Sequence, residues 1–573
     1  MQDAGIDEPE PPAATACRSP GPSQPDMRFR RFRAVAARWP WVLTGFTAAV
    51  ATAAAAPIGE NGARHLLART GYGPTAAEIR DYAPLERDAA VARVLGSART
   101  KALTPPPPAM LAADPMRPPR ETSGVEERRA FVQRQIRAGI ELRGWWLSEM
   151  LATDSPITER MTLFWHNHFV SSQQKVRIAR LMYRQNVTLR AHALGDFGAL
   201  LHAIAKDPAM LVYLDGVQNR RAAPNENFAR EVMELFTLGE GRYTERDVKE
   251  AARAFSGWSL ERDTGTFVFR RALHDPGDKT ILGRTGRFDG DAVLDLLLAQ
   301  EATAELVVGK LWREFVSPDP DAGEVRRIAG EFRRSGYRIP DALSALLRSD
   351  RFWAEANRGV LIKSPVELVV GTLRSLEIEP ADAAPFAIAA AGMGQNLLSP
   401  PNVRGWRGGE AWIDTNTLLA RKQFVAQFAR YEEMRKTPSR PERAAAGLAT
   451  PDATRGMPPD AAADAAADAG MDAQGLRATP GPTGAPAVQS ADAAKLRALR
   501  AARAVDRAFR ELGFSPTRWI AALPGDTPAD KRAAAQRVLL PISPAAGGTG
   551  AHDEADPLAF LRATLADPVY QLK

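Results

Sequence analysis

Cysteine is all but missing from this sequence: the single one, Cys17, lies upstream of the stretch read below as a signal peptide. A chain cut after that stretch has no thiol. That excludes disulfides, cysteine nucleophiles, thiolate zinc sites and iron–sulfur clusters, and leaves packing as the source of stability. Outside the start of that stretch, any concentrated run of positive charge is also missing. The net charge is +7 and the pI about 9.5, but arginines alternate with acids, as in Glu126-Glu127-Arg128-Arg129 and Glu331-Phe332-Arg333-Arg334. With no basic stripe and no nucleic-acid motif, the charge reads as a solvated mixed surface, and no nucleic-acid partner is expected. There is no Gly-x-Ser-x-Gly elbow, which argues against a Ser-His-Asp hydrolase of the α/β type. There is no repeat of fixed period, which argues against a solenoid. Strand signals are equally sparse. One hairpin is expected, from Gly265-Thr266-Phe267-Val268-Phe269 toward His274.

What is present has the balance of a soluble globular protein with a substantial core: 45% hydrophobic and 25% charged residues. The basic stretch Met27-Arg28-Phe29-Arg30-Arg31-Phe32-Arg33 precedes an apolar run rich in Ala and Thr, which closes on Ala53-Ala54-Ala55-Ala56. This is the layout of a signal peptide with a small-residue cleavage site, expected over 27–56. The small residues favour cleavage over a retained anchor, so no stable membrane span is expected in the mature chain, which would be periplasmic or secreted. Residues 1–26 fit no signal peptide; they are disordered or not translated, with Met27 as an alternative start.

From 57 to 436 the sequence reads as successive amphipathic helices. Glu126–Leu151, Asp291–Leu298, Ala302–Phe315, Ala322–Phe332 and Pro340–Leu347 all carry apolar residues at helical spacing. Residues 437–490 are nearly all Ala, Pro, Gly, Asp and Thr. Such a segment cannot bury enough apolar surface to offset its ordering entropy, so a disordered insertion is expected. Helical patterning resumes in 491–573, with a last helix over Leu558–Leu565 that returns to the main domain. The expected fold class is all-α: one large multi-helix domain with a small β-hairpin and a disordered insertion.

Two stretches are dense in chemistry. In Leu163-Phe164-Trp165-His166-Asn167-His168-Phe169, two histidines are separated by one residue. They share a metal ion easily on an extended backbone, but on a helix they point about 200° apart. In Asn225-Glu226-Asn227-Phe228-Ala229-Arg230-Glu231-Val232-Met233-Glu234, the asparagine is a good N-cap, Phe228 and Val232 mark a buried face, and Glu231 and Glu234 fall together beside it. Such a face can hold a divalent cation or an acid–base pair, or be a surface network with Arg230. Thr244 and Asp247 suggest a capping box. The Gly/Pro-rich stretch 400–412 carries Asn402, Trp406 and Trp412, and tryptophans on such a loop either stack on sugar rings or plug the loop into the core.

These stretches, together with Lys206–Leu211, Glu234–Gly241, Lys363–Leu368, Pro400–Trp406, Arg69–Thr75 and Asp567–Leu572, resemble the motifs of domain-of-unknown-function family 1800. The resemblance covers nearly the whole mature chain except the 437–490 insertion. It implies an exported bacterial protein, often encoded beside a sulfatase-like exported protein, and brings no activity with it. Whether the protein is an enzyme is left open by the sequence. The working expectation is a metal-assisted or acid–base hydrolase acting on a saccharide or envelope polymer. His166, His168, Glu226, Glu231 and Glu234 are its catalytic candidates. A divalent metal would be held by His166, His168, Glu231 and His274, and substrate would meet Trp406 and Asn402. The alternative is a non-catalytic binding or assembly partner of the sulfatase-like neighbour.

Overall fold

The computed structural model describes residues 56–114, 116–120, 122–429, 500–545 and 556–573. The expectations for 1–26, for the signal peptide as far as Ala55 and for the 437–490 insertion lie outside the described residues. Those that are described are mainly helical, with two small antiparallel sheets of two strands each. No helix among them is long and apolar enough to cross a membrane.

The helix expected over Glu126–Leu151 spans Val125–Ala152, with Leu142, Trp146, Leu147 and Met150 buried. It stops at extended Thr153, and Pro156 opens the next helix, Pro156–His168. Proline suits that first position because its missing N–H would have had no partner. This second helix is the centre of the molecule: nearly all of it is buried, including Glu159 and Arg160. A charge buried in protein must be paired, and these two neighbours pair in opposite directions. Glu159 takes both Nε (2.5 Å) and Nη2 (2.9 Å) of Arg190 on the Ala179–His192 helix, and the Trp146 indole N–H at 2.9 Å. Arg160 reaches Glu314 (2.5 Å) on the Glu301–Phe315 helix and Glu367 on the Pro365–Ser375 helix.

Glu367 also receives Lys573, while its other oxygen accepts the Ser364 N–H at 2.7 Å, completing a capping box. The end of the chain is fixed here as well. Lys363 N donates to Gln571 O and Lys573 N to Leu361 O, each at 2.8 Å. The Lys363 ammonium donates to the Tyr570 carbonyl at 2.7 Å. The preceding helix, Pro557–Ala566, buries Leu561 and Leu565.

The hairpin forms with a different partner from the one expected. Phe267–Phe269 pairs antiparallel with the preceding Trp258–Leu260, in the register Trp258 opposite Phe269. His274 follows a 3-10 turn and belongs to neither strand. The earlier strand is obscured in the sequence because only Phe255-Ser256-Gly257 separates it from the Glu245–Ala254 helix. A second hairpin, Lys279–Ile281 with Arg284–Gly286, turns through Leu282 and Gly283, both at positive φ (48° and 75°). Positive φ at both central residues is the turn geometry that matches strand twist; leucine is an uncommon residue for it, which hid the turn.

Candidate acid–base site

Four segments meet at the C-terminal end of the central helix. The first is that helix end, His166-Asn167-His168. The second is the Glu226–Glu231 helix, capped by Asn225 Oδ1 on the Asn227 N–H at 3.0 Å. It continues not as α-helix, as the spacing suggested, but as a π-helix over Val232–Leu238. The Thr237 hydroxyl donates to Val232 O at 2.7 Å, and Gly239 N donates to Glu234 O at 3.1 Å, both five residues back. Segments of π-helix are rare and recur at functional sites. The third and fourth segments are the Glu301–Phe315 helix, bringing Lys310, and the 400–412 loop.

The loop docks through Asn167. Its side-chain oxygen accepts the Trp406 N–H at 2.8 Å and its amide donates to Trp406 O at 3.2 Å. Gly405, at φ 76°, permits this approach, since a Cβ there would stand 2.3 Å from Asn167 Oδ1. Asn402 shapes the loop itself, accepting the Arg404 N–H at 2.9 Å. Trp406 is turned inward, 6% exposed, with its ring 5.8 Å from that of His166. Trp406 thus plugs the loop into the core, and the expected sugar-stacking role does not fit it.

The histidines diverge, as helical geometry requires. His166 is buried with its Nε2 unpartnered, edge-on to Trp146 at 5.6 Å and beside Trp406. His168 is tied to the π-helix end: its Nδ1 lies 3.0 Å from Lys310 Nζ and its Nε2 3.1 Å from Phe236 O, while Lys310 also donates to Leu235 O at 2.9 Å. An ammonium can only donate, so Nδ1 accepts and Nε2 carries the proton. Burial and Lys310 hold the His168 imidazole well below its ordinary range, and burial alone lowers His166 to about 4. His274 is elsewhere, with Nδ1 3.0 Å from Ser256 O beside the hairpin. Among the described residues no group of three or more His, Asp, Glu or Cys side chains is arranged to hold a metal ion. The expected ligand set of His166, His168, Glu231 and His274 therefore does not come together. Glu226 is separate too, paired to Arg230 at 3.2 Å, which in turn holds Glu245 at 2.7 Å.

Because His166 is neutral when folded and protonates freely when unfolded, its sign is definite. The stability it contributes is complete above 6.5, and is lost as pH falls from there toward about 4. A shift of that size corresponds to roughly 3 kcal/mol. Asp207, pushed up to about 7 by burial, acts with the opposite sign, so the informative quantity is the difference between two proteins. His166→Phe, which keeps a flat ring between the tryptophans, is expected to show a shallower fall in melting temperature from pH 7 to 4.5 than the native chain. Parallel falls would contradict the assignment.

What remains together is Glu231 and Glu234. Glu234 is held by Arg404 at 3.0 Å and by the Tyr243 hydroxyl. Glu231 is half-buried and has no hydrogen-bond or ion-pair partner among the described residues; its nearest influences are Glu234, Arg404, Arg230 and Tyr213. Burial first, and then the Glu234 charge, push its carboxyl above the usual glutamate range, with Arg404 and Arg230 opposing. Burial and Glu231 likewise push the Tyr213 phenol up to about 12. The residues that sequence reasoning missed are Arg404, Tyr243, Tyr213, Lys310 and Asn167. Arg404 and Asn167 stand inside the quoted motifs, but only the contacts across the fold distinguish them from their neighbours.

Comparison with curated proteins and with solved structures gives no match. The family described as "Protein of unknown function (DUF1800)" matches residues 65–570, most of the chain, and the protein belongs to that family.

Proposed function

We propose that this chain is an exported acid–base hydrolase that cleaves a saccharide or envelope polymer, with Glu231 as general acid and Glu234 as the partner carboxylate. The observation that carries this reading is the contrast between two adjacent carboxyls. Glu234 is held by an arginine and a phenol, whereas Glu231, half-buried and raised, has no partner among the described residues. Pairs of carboxyls whose surroundings differ in this way divide acid and base roles between them. In the reaction, Glu231 gives its proton to the leaving oxygen as the glycosidic C–O bond breaks. Glu234 takes a proton from the attacking water as the new C–O bond forms, using lone pairs left free by Arg404 and Tyr243. Water is consumed and two hydroxyl-bearing ends are released. His168 and Lys310 act underneath, holding the Phe236 and Leu235 carbonyls next to Glu234 in the π-helix.

The test is release of reducing ends from a panel of purified envelope polysaccharides and peptidoglycan, by the native chain and by Glu231→Gln. Release from at least one polymer, lost in the variant, is the expected result. No release from any member, or equal release by both proteins, would overturn the proposal.

A second reading, assembly with the sulfatase-like exported neighbour, rests on a different observation. Leu103, Leu111, Val125 and Val132 are large apolar side chains left exposed within one segment of the chain. It requires that the two purified proteins form a complex that Leu111→Asp with Val125→Asp disrupts.

A further inference from the structure

A cavity of about 440 Å³ lies among the Val125–Ala152, Ala384–Gly392 and Thr415–Ala429 helices and residues 500–511, lined by none of the acid–base residues. Its size is that of a small-molecule site. Its walls are mainly apolar, with Ile140, Ala387, Ile388, Phe424 and Val505 among them. Three features of its polar lining stand out.

Arg143 is fixed in place, Nε to Leu397 O at 2.8 Å and Nη2 to Ser399 Oγ at 3.1 Å, but no carboxylate among the described residues pairs with it. Burial lowers this guanidinium to about 10. Gln173 is 7% exposed and its Oε1 has no partner, while its side chain lies on Gly139, where an added Cβ would meet Nε2 at 2.0 Å. Gln427 Oε1 is likewise buried and unpartnered, and its amide is spent on Asp506, the one acid of the lining, at 3.2 Å. A partly buried cation without an anion and two buried carbonyls without donors are each costly. An anion in the cavity would satisfy the first of these, whereas the two carbonyl oxygens are closed off from it.

We propose that this cavity binds a single-chain amphiphile with an anionic head. Its tail lies against Ile140, Ala387 and Phe424, and its anion on Arg143. Carboxylate and phosphate heads share this chemistry, and palmitate and 1-palmitoyl-lysophosphatidylglycerol represent the two.

Calorimetric titration of the full chain with these two compounds and with neutral monopalmitoylglycerol, all below their micelle concentrations, tests the site. Saturable one-site binding of the anions is expected, at least tenfold tighter than the neutral lipid, because a charge-assisted contact is at stake. Tighter binding of the lysophospholipid identifies a phosphate-headed lipid, and tighter binding of palmitate a fatty acid. Arg143→Met should bring the anions to the neutral lipid's affinity. Since Arg143 also holds the 397–399 backbone, Ala387→Trp and Ile388→Trp, which fill the cavity from the opposite chemistry, provide an independent arm and should abolish binding of all three. Absence of saturable anion binding, equal affinity for the neutral lipid, or undiminished binding in both folded tryptophan variants would overturn the proposal.

Discussion

Glu367→Gln is expected to lower the unfolding free energy by about 3–5 kcal/mol, as removal of one partner from a buried ion pair does. The carboxylate is buried and receives both Arg160 and Lys573, with Arg69, Lys363 and Arg421 close enough to add to the local positive charge. Glutamine keeps the shape and the Ser364 cap, so what is lost is the charge that the cations face. Burial alone would raise this carboxyl, but Arg160 and Lys573 outweigh it and bring it from 4.5 to about 2. A depressed carboxyl contributes stability that is complete above its ordinary value and lost as pH falls toward the folded one. The native chain should therefore lose this contribution between about pH 4.5 and 2, and the variant should lack that limb. Burial already lowers Lys573 to about 8 and holds Lys363 well below its ordinary range, so in the variant these lysines are the groups that give up a proton to relieve the imbalance. Urea unfolding at pH 7 measures the loss. A change below about 1 kcal/mol, the scale of an exposed ion pair, would show that the cluster is solvated.

The second large effect falls on activity. Glu231→Gln is expected to reduce turnover of the cleaved polymer by about 10²–10⁴, the usual contribution of a positioned general acid. It should leave the melting temperature nearly unchanged, since among the described residues Glu231 makes no hydrogen bond that the substitution breaks. The pairing of those two results is what distinguishes a catalytic carboxyl from a structural one. A variant that loses activity only in proportion to folded protein would place Glu231 among the structural residues.

The helical architecture was legible because helix signals are local. Pro156 and Ser155, the Thr244–Asp247 box and Asn225 set element ends through chemistry within four residues, and the apolar spacing of 126–151 names its own buried face. The Asn167–Trp406 contact was not legible, since it joins positions 239 residues apart and depends on a glycine at positive φ. The π-helix was also hidden: Val232–Leu238 has ordinary helical spacing, and the Lys310 and His168 contacts to its carbonyls come from distant parts of the chain. The two histidines suggested a metal because alternation places them on one side of a strand. Once on a helix they face Trp146 and Phe236 respectively, and their function becomes one of packing. The glutamates kept their interest for the reverse reason, since residues three apart stay neighbours on a helix.

The most direct measurement is the pH dependence of kcat/KM for the native chain and for two variants flanking Glu231. A general acid must hold its proton, so activity falls as pH rises through the raised Glu231 value. Glu234 raises that value and Arg404 lowers it. The falling limb is therefore expected to move to lower pH in Glu234→Gln and to higher pH in Arg404→Gln, whatever each variant does to the maximal rate. Limbs that coincide in all three proteins, or that move in the opposite directions, would contradict Glu231 as the acid.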